Sequence, residues 1–155
     1  MTWFLIFPPI AILATAWAGG ALTAKGVKTW YRTIKRPAWT PPGTVIGFIW
    51  TGIFMLAIAS GVRYFSMAAD PQMVWLSVLL FLLSCILNAA WSWLFFTRHR
   101  LRLAFWDAVL LDLSVLALMA VFWKVTPPSA WMLAPYAAWT AFASYLNRRI
   151  ELMNR

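Results

Sequence analysis

The sequence predicts an all-α membrane protein, a bundle of five transmembrane helices in a single domain covering residues 1–155. Three observations predict it. Of the 155 residues, 63% are apolar and 11% charged, with a mean hydropathy of +0.75. A soluble domain of this length cannot hide that much apolar surface, so lipid must be the solvent for most of the chain. The apolar residues also fall into five runs of about twenty, the length a helix needs to cross ~30 Å of hydrocarbon. Finally, the cations behind the net charge of +9 are confined to loops and ends. That is how membrane proteins place them, and it argues against a nucleic-acid partner.

Span one covers residues 3–24. Its start lacks the basic segment of a signal peptide, and the apolar run continues past the cleavage-like Ala14-Thr15-Ala16, so an uncleaved span is expected. Pro8-Pro9 should distort its first turns. Ala11, Thr15 and Gly19, at i, i+4 and i+8, form a stripe of small residues that lets another helix, internal or from a second copy, come close.

Residues 25–42 form the longest polar interruption. This loop carries Lys25, Lys28, Arg32, Lys35 and Arg36 together with Trp30, Tyr31, Trp39 and Pro37, Pro41 and Pro42. Proline lacks a backbone donor and pushes the preceding residue out of helical geometry. A shaped, semi-rigid loop bearing aromatics is expected, suited to act as a lid.

Span two covers residues 43–66 and contains Trp50, with Arg63 at its end; a short turn with Asp70-Pro71 follows. Span three, residues 73–96, has one strongly polar residue, Asn88. A basic loop, Thr97 to Arg102, contains the sole histidine, His99, read as a solvated residue because a metal centre needs three or four ligands. Span four, residues 103–125, carries Asp107 and Asp112, about 140° apart around a helix and so unable to form a carboxylate pair. Asp107 can snorkel or pair with Arg100 or Arg102; Asp112 lies deeper, where an ionisable group is functional or neutral. Thr126-Pro127-Pro128-Ser129 reads as a tight turn before span five, residues 130–150. The single cysteine, Cys85, lies in an apolar run, which excludes a disulfide framework.

An odd number of spans puts the termini on opposite sides. Eleven cations fall on the side holding the first loop, the third loop and the C-terminus; only Arg63 and Lys124 fall on the other. The positive-inside rule makes the rich side cytoplasmic and the N-terminus external. At 1.5 Å per residue, Trp91 then lies about 8 Å below the cytoplasmic surface, Trp50 roughly 10 Å, Asn88 about 13 Å and Trp139 roughly 16 Å. They share the half of the bilayer beneath the Trp/Pro loop, where a roofed pocket would use them together.

Helical spacing agrees. Asn88, Trp91 and Phe95 share one face of span three, and Tyr136, Trp139, Phe142 and Leu146 share one face of span five. An unpaired amide in hydrocarbon costs several kcal/mol, so Asn88 must face protein or ligand; interhelical glue and ligand contact both satisfy it. Trp and Tyr offer broad faces with one polar atom each, which suits a planar, mostly apolar ligand. Trp3, Trp30, Trp75, Trp106 and Trp131 sit near predicted interfaces, as belt residues do. No zinc-ligand spacing, nucleophile elbow, phosphate-binding glycine loop or haem-attachment motif is present.

Several motifs in order along the chain resemble one family. They are Trp30-Tyr31, then Lys35-x-Pro37-x-Trp39-x-Pro41-Pro42, Trp50-Thr51, Asn88-x-x-Trp91-x-x-x-Phe95-Phe96, Asp107, and Pro135-Tyr136-x-x-Trp139-x-x-Phe142-Ala143-x-x-Leu146-Asn147. Together they are similar to the TspO/MBR family, the bacterial tryptophan-rich sensory proteins and the mitochondrial translocator protein, or peripheral-type benzodiazepine receptor. The resemblance implies a five-helix bundle, commonly a homodimer. Its pocket under the first loop takes porphyrins such as protoporphyrin IX or haem, sterols and benzodiazepine-type ligands. By matching position Tyr31, Trp50, Asn88, Trp91 and Trp139 would line that pocket, with Trp39 and Pro42 in its lid. Ala143 and Leu146 match a region tied to sterol binding in mitochondrial members. The mitochondrial cholesterol pattern is broken here, because Arg148 stands where its Tyr should follow Leu146-Asn147, and Tyr145 has no Leu or Val within five residues upstream.

Porphyrin is therefore favoured over cholesterol, and a bacterial plasma membrane over a mitochondrial one. The expected protein is a multi-pass receptor or carrier for porphyrin-like ligands, acting in tetrapyrrole homeostasis or stress signalling, with no required cofactor and no metal. The alternatives are a light- or oxygen-dependent porphyrin-degrading enzyme with Trp50 and Trp139 as redox candidates, a porphyrin or sterol transporter, and a scaffold with a vestigial pocket.

Overall fold

A computed structural model describes residues 3–155. These are helical, with no strand among them: α1 (Trp3–Val27), α2 (Gly43–Met67), α3 (Pro71–Ser92), α4 (Leu101–Val125), the short α5 (Pro127–Met132) and α6 (Ala134–Met153). Four helices are long and apolar enough to cross a membrane, namely Trp3–Val27, Gly43–Met67, Pro71–Thr97 and Leu101–Val125. The fifth long helix, α6, carries Asn147, Arg148, Arg149 and Glu151 in its second half, which dilutes its apolar character.

The sequence supplies a visible start for two of these helices. Asp70 caps α3, its Oδ1 accepting from the Gln72 N–H at 2.9 Å, with Pro71 in the first turn where no donor is needed. Pro127 opens α5 in the same way. Large apolar side chains then point outward, among them Trp3, Trp17, Phe48 and Trp131. This inverted surface is stable only against lipid.

Close contacts fix α1. Pro8 is buried against Gly61 of α2, where a Cβ would lie 2.7 Å from the proline Cγ. At the other end a Cβ on Gly26 would collide with the Phe96 carbonyl. The Ala11/Thr15/Gly19 stripe is used internally. Thr15 is buried with its hydroxyl returned to the Ala11 carbonyl at 2.8 Å, and Gly19 faces Ser92 of α3.

The last third of α2 is held by α4 and α5. Ser60 Oγ donates to the Ser129 carbonyl at 2.7 Å, Arg63 Nε donates to Thr126 Oγ1 at 3.3 Å, and the Tyr64 ring stacks on Phe122 at 3.9 Å. Toward its start, Gly43, Gly47 and Gly52 have nothing within 4 Å of where a side chain would begin.

Several expected boundaries differ. Span one, expected to end at residue 24, stays helical to Val27, because nothing in Lys25-Gly26-Val27 stops it. The irregular part of the lid is therefore 28–42, with one 3₁₀ turn at Trp30–Arg32. Span three begins at Pro71 rather than 73 and passes into a π-helical turn at Trp93–Thr97. Span four begins at Leu101 rather than 103.

Span five, expected as one helix over 130–150, is two. Pro127-Pro128 starts α5 instead of making a bare turn, and the chain breaks at Leu133. The cause is Pro135, which lacks an N–H and whose ring would strike the carbonyl one turn back.

Candidate functional site

The five long helices enclose a cavity of about 510 Å³, within the range of small-molecule sites. Its wall follows from helical periodicity. On α3, Asn88 and Trp91 face inward, and the π-turn that follows adds Phe95 and Phe96, both buried. On α2, Gly47, Trp50, Thr51 and Phe54 form the facing surface, and α6 supplies Trp139, Phe142, Ala143 and Leu146. Tyr31 reaches in from the loop.

Aromatic contacts order the wall. Trp91 stacks on Phe95 at 5.1 Å, Trp50 tilts over Phe54 at 5.3 Å, and Trp139 over Phe142 at 5.2 Å. Tyr31 packs its edge on Phe96 at 5.5 Å, and Arg36 lies 4.4 Å above the Tyr31 ring. A guanidinium so placed holds the ring by cation–π attraction.

A few polar groups converge on this apolar surface. Asn88 Nδ2 donates to the Tyr136 hydroxyl at 3.2 Å, so the amide joins helices and lines the cavity at once. Trp91 Nε1 donates to Asn147 Oδ1 at 3.1 Å, and Asn147 Nδ2 donates to the Leu101 carbonyl at 2.9 Å. Thr140 also lines the cavity, and its hydroxyl donates to Asp112 Oδ1 at 2.6 Å on the far side of the wall. The Trp139 indole N–H is shielded from solvent and has no partner.

Three expected site residues lie outside the lining. Tyr136 is buried behind it, with its ring edge-on to Trp50 at 5.9 Å. Trp39 stacks on Tyr145 at 5.6 Å and meets Phe142 at the rim. Pro42 is exposed beside the first turn of α2. The loop is tied down further along, where Asn154, just past the end of α6, exchanges two hydrogen bonds with the Lys35 backbone.

Other expectations also change. Trp30 does not face outward as a belt residue would; it stacks on His99 at 4.1 Å and packs its edge on Phe95. His99, exposed as expected of a loop residue, adopts φ 54° to make that contact. Asp107 is buried, and neither Arg100 nor Arg102 pairs with it; among the described residues the ion pairs are those of Glu151 with Arg148 and Arg155. No group of His, Cys, Asp or Glu among the described residues could hold a metal.

Composition hid the contribution of α1. Thr15, Gly19, Gly20, Thr23 and Ala24 form one side of the cavity, and only the small-residue stripe hinted at it. Asn147 was visible as a polar residue late in an apolar run.

This architecture has known relatives. The model of the TspO/MBR family matches residues 8–153, nearly the whole chain. The chain belongs to the TspO/MBR family. It is 38% identical over 128 residues to the tryptophan-rich protein TspO of Bacillus cereus, covering 82% of each chain. It is 32% identical over 141 residues to the protein CrtK of Rhodobacter capsulatus, covering 91% of this chain and 87% of that one. Similarity extends to the translocator protein of Ovis aries, 32% identical over 133 residues, 78% of this chain and 72% of the relative. As a member of the TspO/MBR family with several membrane-length apolar helices, the protein is an integral, multi-pass membrane protein.

Proposed function

We propose that the protein is a membrane receptor or carrier that binds a planar, mostly apolar ligand of the porphyrin class in the cavity beneath the first loop, in tetrapyrrole homeostasis or stress signalling. One observation carries the reading. Three indoles, Trp50, Trp91 and Trp139, share a wall of about 510 Å³ with few polar groups, and one indole N–H there is unpartnered. Flat apolar rings with a few acceptors at the edge complement such a wall. The translocator proteins among its relatives carry a name that favours a carrier.

In this reading α6 is the fifth span. With the end of α5 it covers the ~30 Å of hydrocarbon over residues 130–150, and Glu151 stands beyond that, in the cytoplasmic interface with the arginines. The N-terminus lies outside, and a bacterial plasma membrane is the setting. A homodimer is part of the proposal on family grounds alone, since the α1 stripe is occupied by α3; cross-linking in membranes tests it.

The test of function is a titration of purified protein with protoporphyrin IX, followed by Trp fluorescence in darkness and then in light. Saturable quenching in darkness is expected, and its absence would overturn the reading. The light arm addresses a second reading, oxidation of bound porphyrin, which the position of Trp50 and Trp139 on the wall favours. A new absorbing product, lost in Trp139→Phe, would establish it.

A further inference from the structure

We propose that the seam between α2 and α6 is a lateral portal, through which a ligand dissolved in the bilayer reaches the cavity, and that the Trp139 side chain is its gate. The proposal rests on the functional reading above and adds the route by which the site is filled.

Trp139 belongs to two surfaces at once. Its inner face lines the central cavity, and its outer face lines an apolar groove on the bundle's exterior with Phe48, Ile49, Gly52 and Leu56 of α2 and Ala138 of α6. Phe48 is 79% exposed at the groove's edge, so the groove opens toward lipid. Trp139 is thus the residue that the cavity and the lipid-facing groove share.

The seam is open on either side of that indole. α2 packs on α1 and α5 and makes little contact with α6. Gly47, on the cavity side, and Gly52, on the groove side, both look into empty space. Helices meeting tightly at glycines would show the opposite, as Gly61 and Gly26 do.

No hydrogen bond holds the gate; its ring is kept in place by packing, chiefly on Phe142. Trp91 is held in place by its bond to Asn147, whereas Trp139 makes no hydrogen bond through its indole, so rotating it breaks none. Turning presents an unsatisfied N–H to whatever enters, and a planar apolar molecule with an acceptor at its rim would satisfy it. Such a molecule partitions into lipid, where it meets the groove directly. Entry past the loop requires it to cross water and to part the Lys35–Asn154 bonds and the Trp39–Tyr145 stack.

The experiment fills the groove without touching the cavity. Gly52→Leu and Ala138→Leu, alone and combined, are compared with the unaltered protein in phosphatidylcholine nanodiscs, with protoporphyrin IX supplied in the same bilayer. Stopped-flow Trp quenching gives both rates. Association and dissociation should each slow by about fivefold or more while the equilibrium affinity holds, as for an obstructed gate. Asn154→Ala, which frees the loop, should leave both rates unchanged. Unaltered rates in the folded groove-filled proteins would overturn the portal, as would faster association in Asn154→Ala. Ala138→Leu alone decides the matter if the double variant fails to assemble, because Ala138 is exposed on α6. Saturable binding by the unaltered protein with unaltered variant rates rejects the route alone; no saturable binding at all rejects the function and the route with it.

Discussion

The side chain of Asn154 brackets the backbone of Lys35. Its Oδ1 accepts from the Lys35 N–H at 3.0 Å, and its Nδ2 donates to the Lys35 carbonyl at 2.8 Å. The residue that follows α6 thereby imitates a strand partner and fastens the middle of the first loop. Its own position is fixed by a further bond from Nδ2 to the Ile150 carbonyl at 2.7 Å. Asn154→Ala should raise amide exchange around Lys35 with little change in melting. Each exposed hydrogen bond contributes about 0.5–1.5 kcal/mol to local closure. Exchange mass spectrometry in detergent measures it, and unchanged protection would show that Trp39 on Tyr145 suffices.

The close approach of Pro8 to Gly61 makes a second prediction. Gly61→Ala should destabilise by roughly 1–3 kcal/mol, because the added methyl meets the proline ring and the buried Phe81. Gly52→Ala, at an open site, should be neutral or stabilising. Thermal melts of the two variants in one detergent provide the comparison, and equal melting temperatures would contradict the packing.

Binding should depend on the wall at identifiable points. Trp50→Ala and Asn88→Ala should each weaken protoporphyrin IX binding by about 1–3 kcal/mol, the scale of a stacking or buried polar contact. Trp91→Phe should cost stability as well, since it leaves Asn147 Oδ1 without its donor. Affinity intact in both alanine variants would relocate the site.

Glu151 lies beyond residue 150, the expected end of span five, between Arg148 and Arg155. Burial alone would raise its carboxyl pKa, but the hydrogen bonds and charges of Arg155 and Arg148 hold it below the usual range. A carboxyl depressed in the folded state contributes stability above its unfolded pKa and loses it as pH falls through the folded value. Glu151→Gln should therefore melt earlier than the unaltered protein near pH 7, and the gap should close on acidification below about pH 4. A gap that persists in acid would assign the effect to packing.

Much of the cavity was legible because its polar and aromatic residues stand out against a monotonous apolar background. Asn88, Trp91 and Phe95 declared one face of a helix by spacing alone. What stayed hidden has physical reasons. The π-turn buries Phe95 and Phe96 side by side, which a 3.6-residue period does not anticipate. The break at Leu133 lies two residues before Pro135, and an apolar run gives no sign of where such a helix restarts. Glycines and threonines of α1 form a wall by what they leave empty. Tyr136, in register with Trp139, ends up behind the wall because its hydroxyl is taken by Asn88.

The bond from Ser60 to the Ser129 carbonyl has a mechanical consequence. With Arg63, Tyr64 and the Pro8 contact at Gly61, it clamps one end of α2, while the glycines at the other end stand clear of their neighbours. The helix is a cantilever. A rod fixed at one end yields most readily at the other, and that other end is where Gly43 and Gly47 line the cavity. Support is thus graded along a single helix, and the contacts that anchor it lie at the opposite end from the glycines that border the cavity.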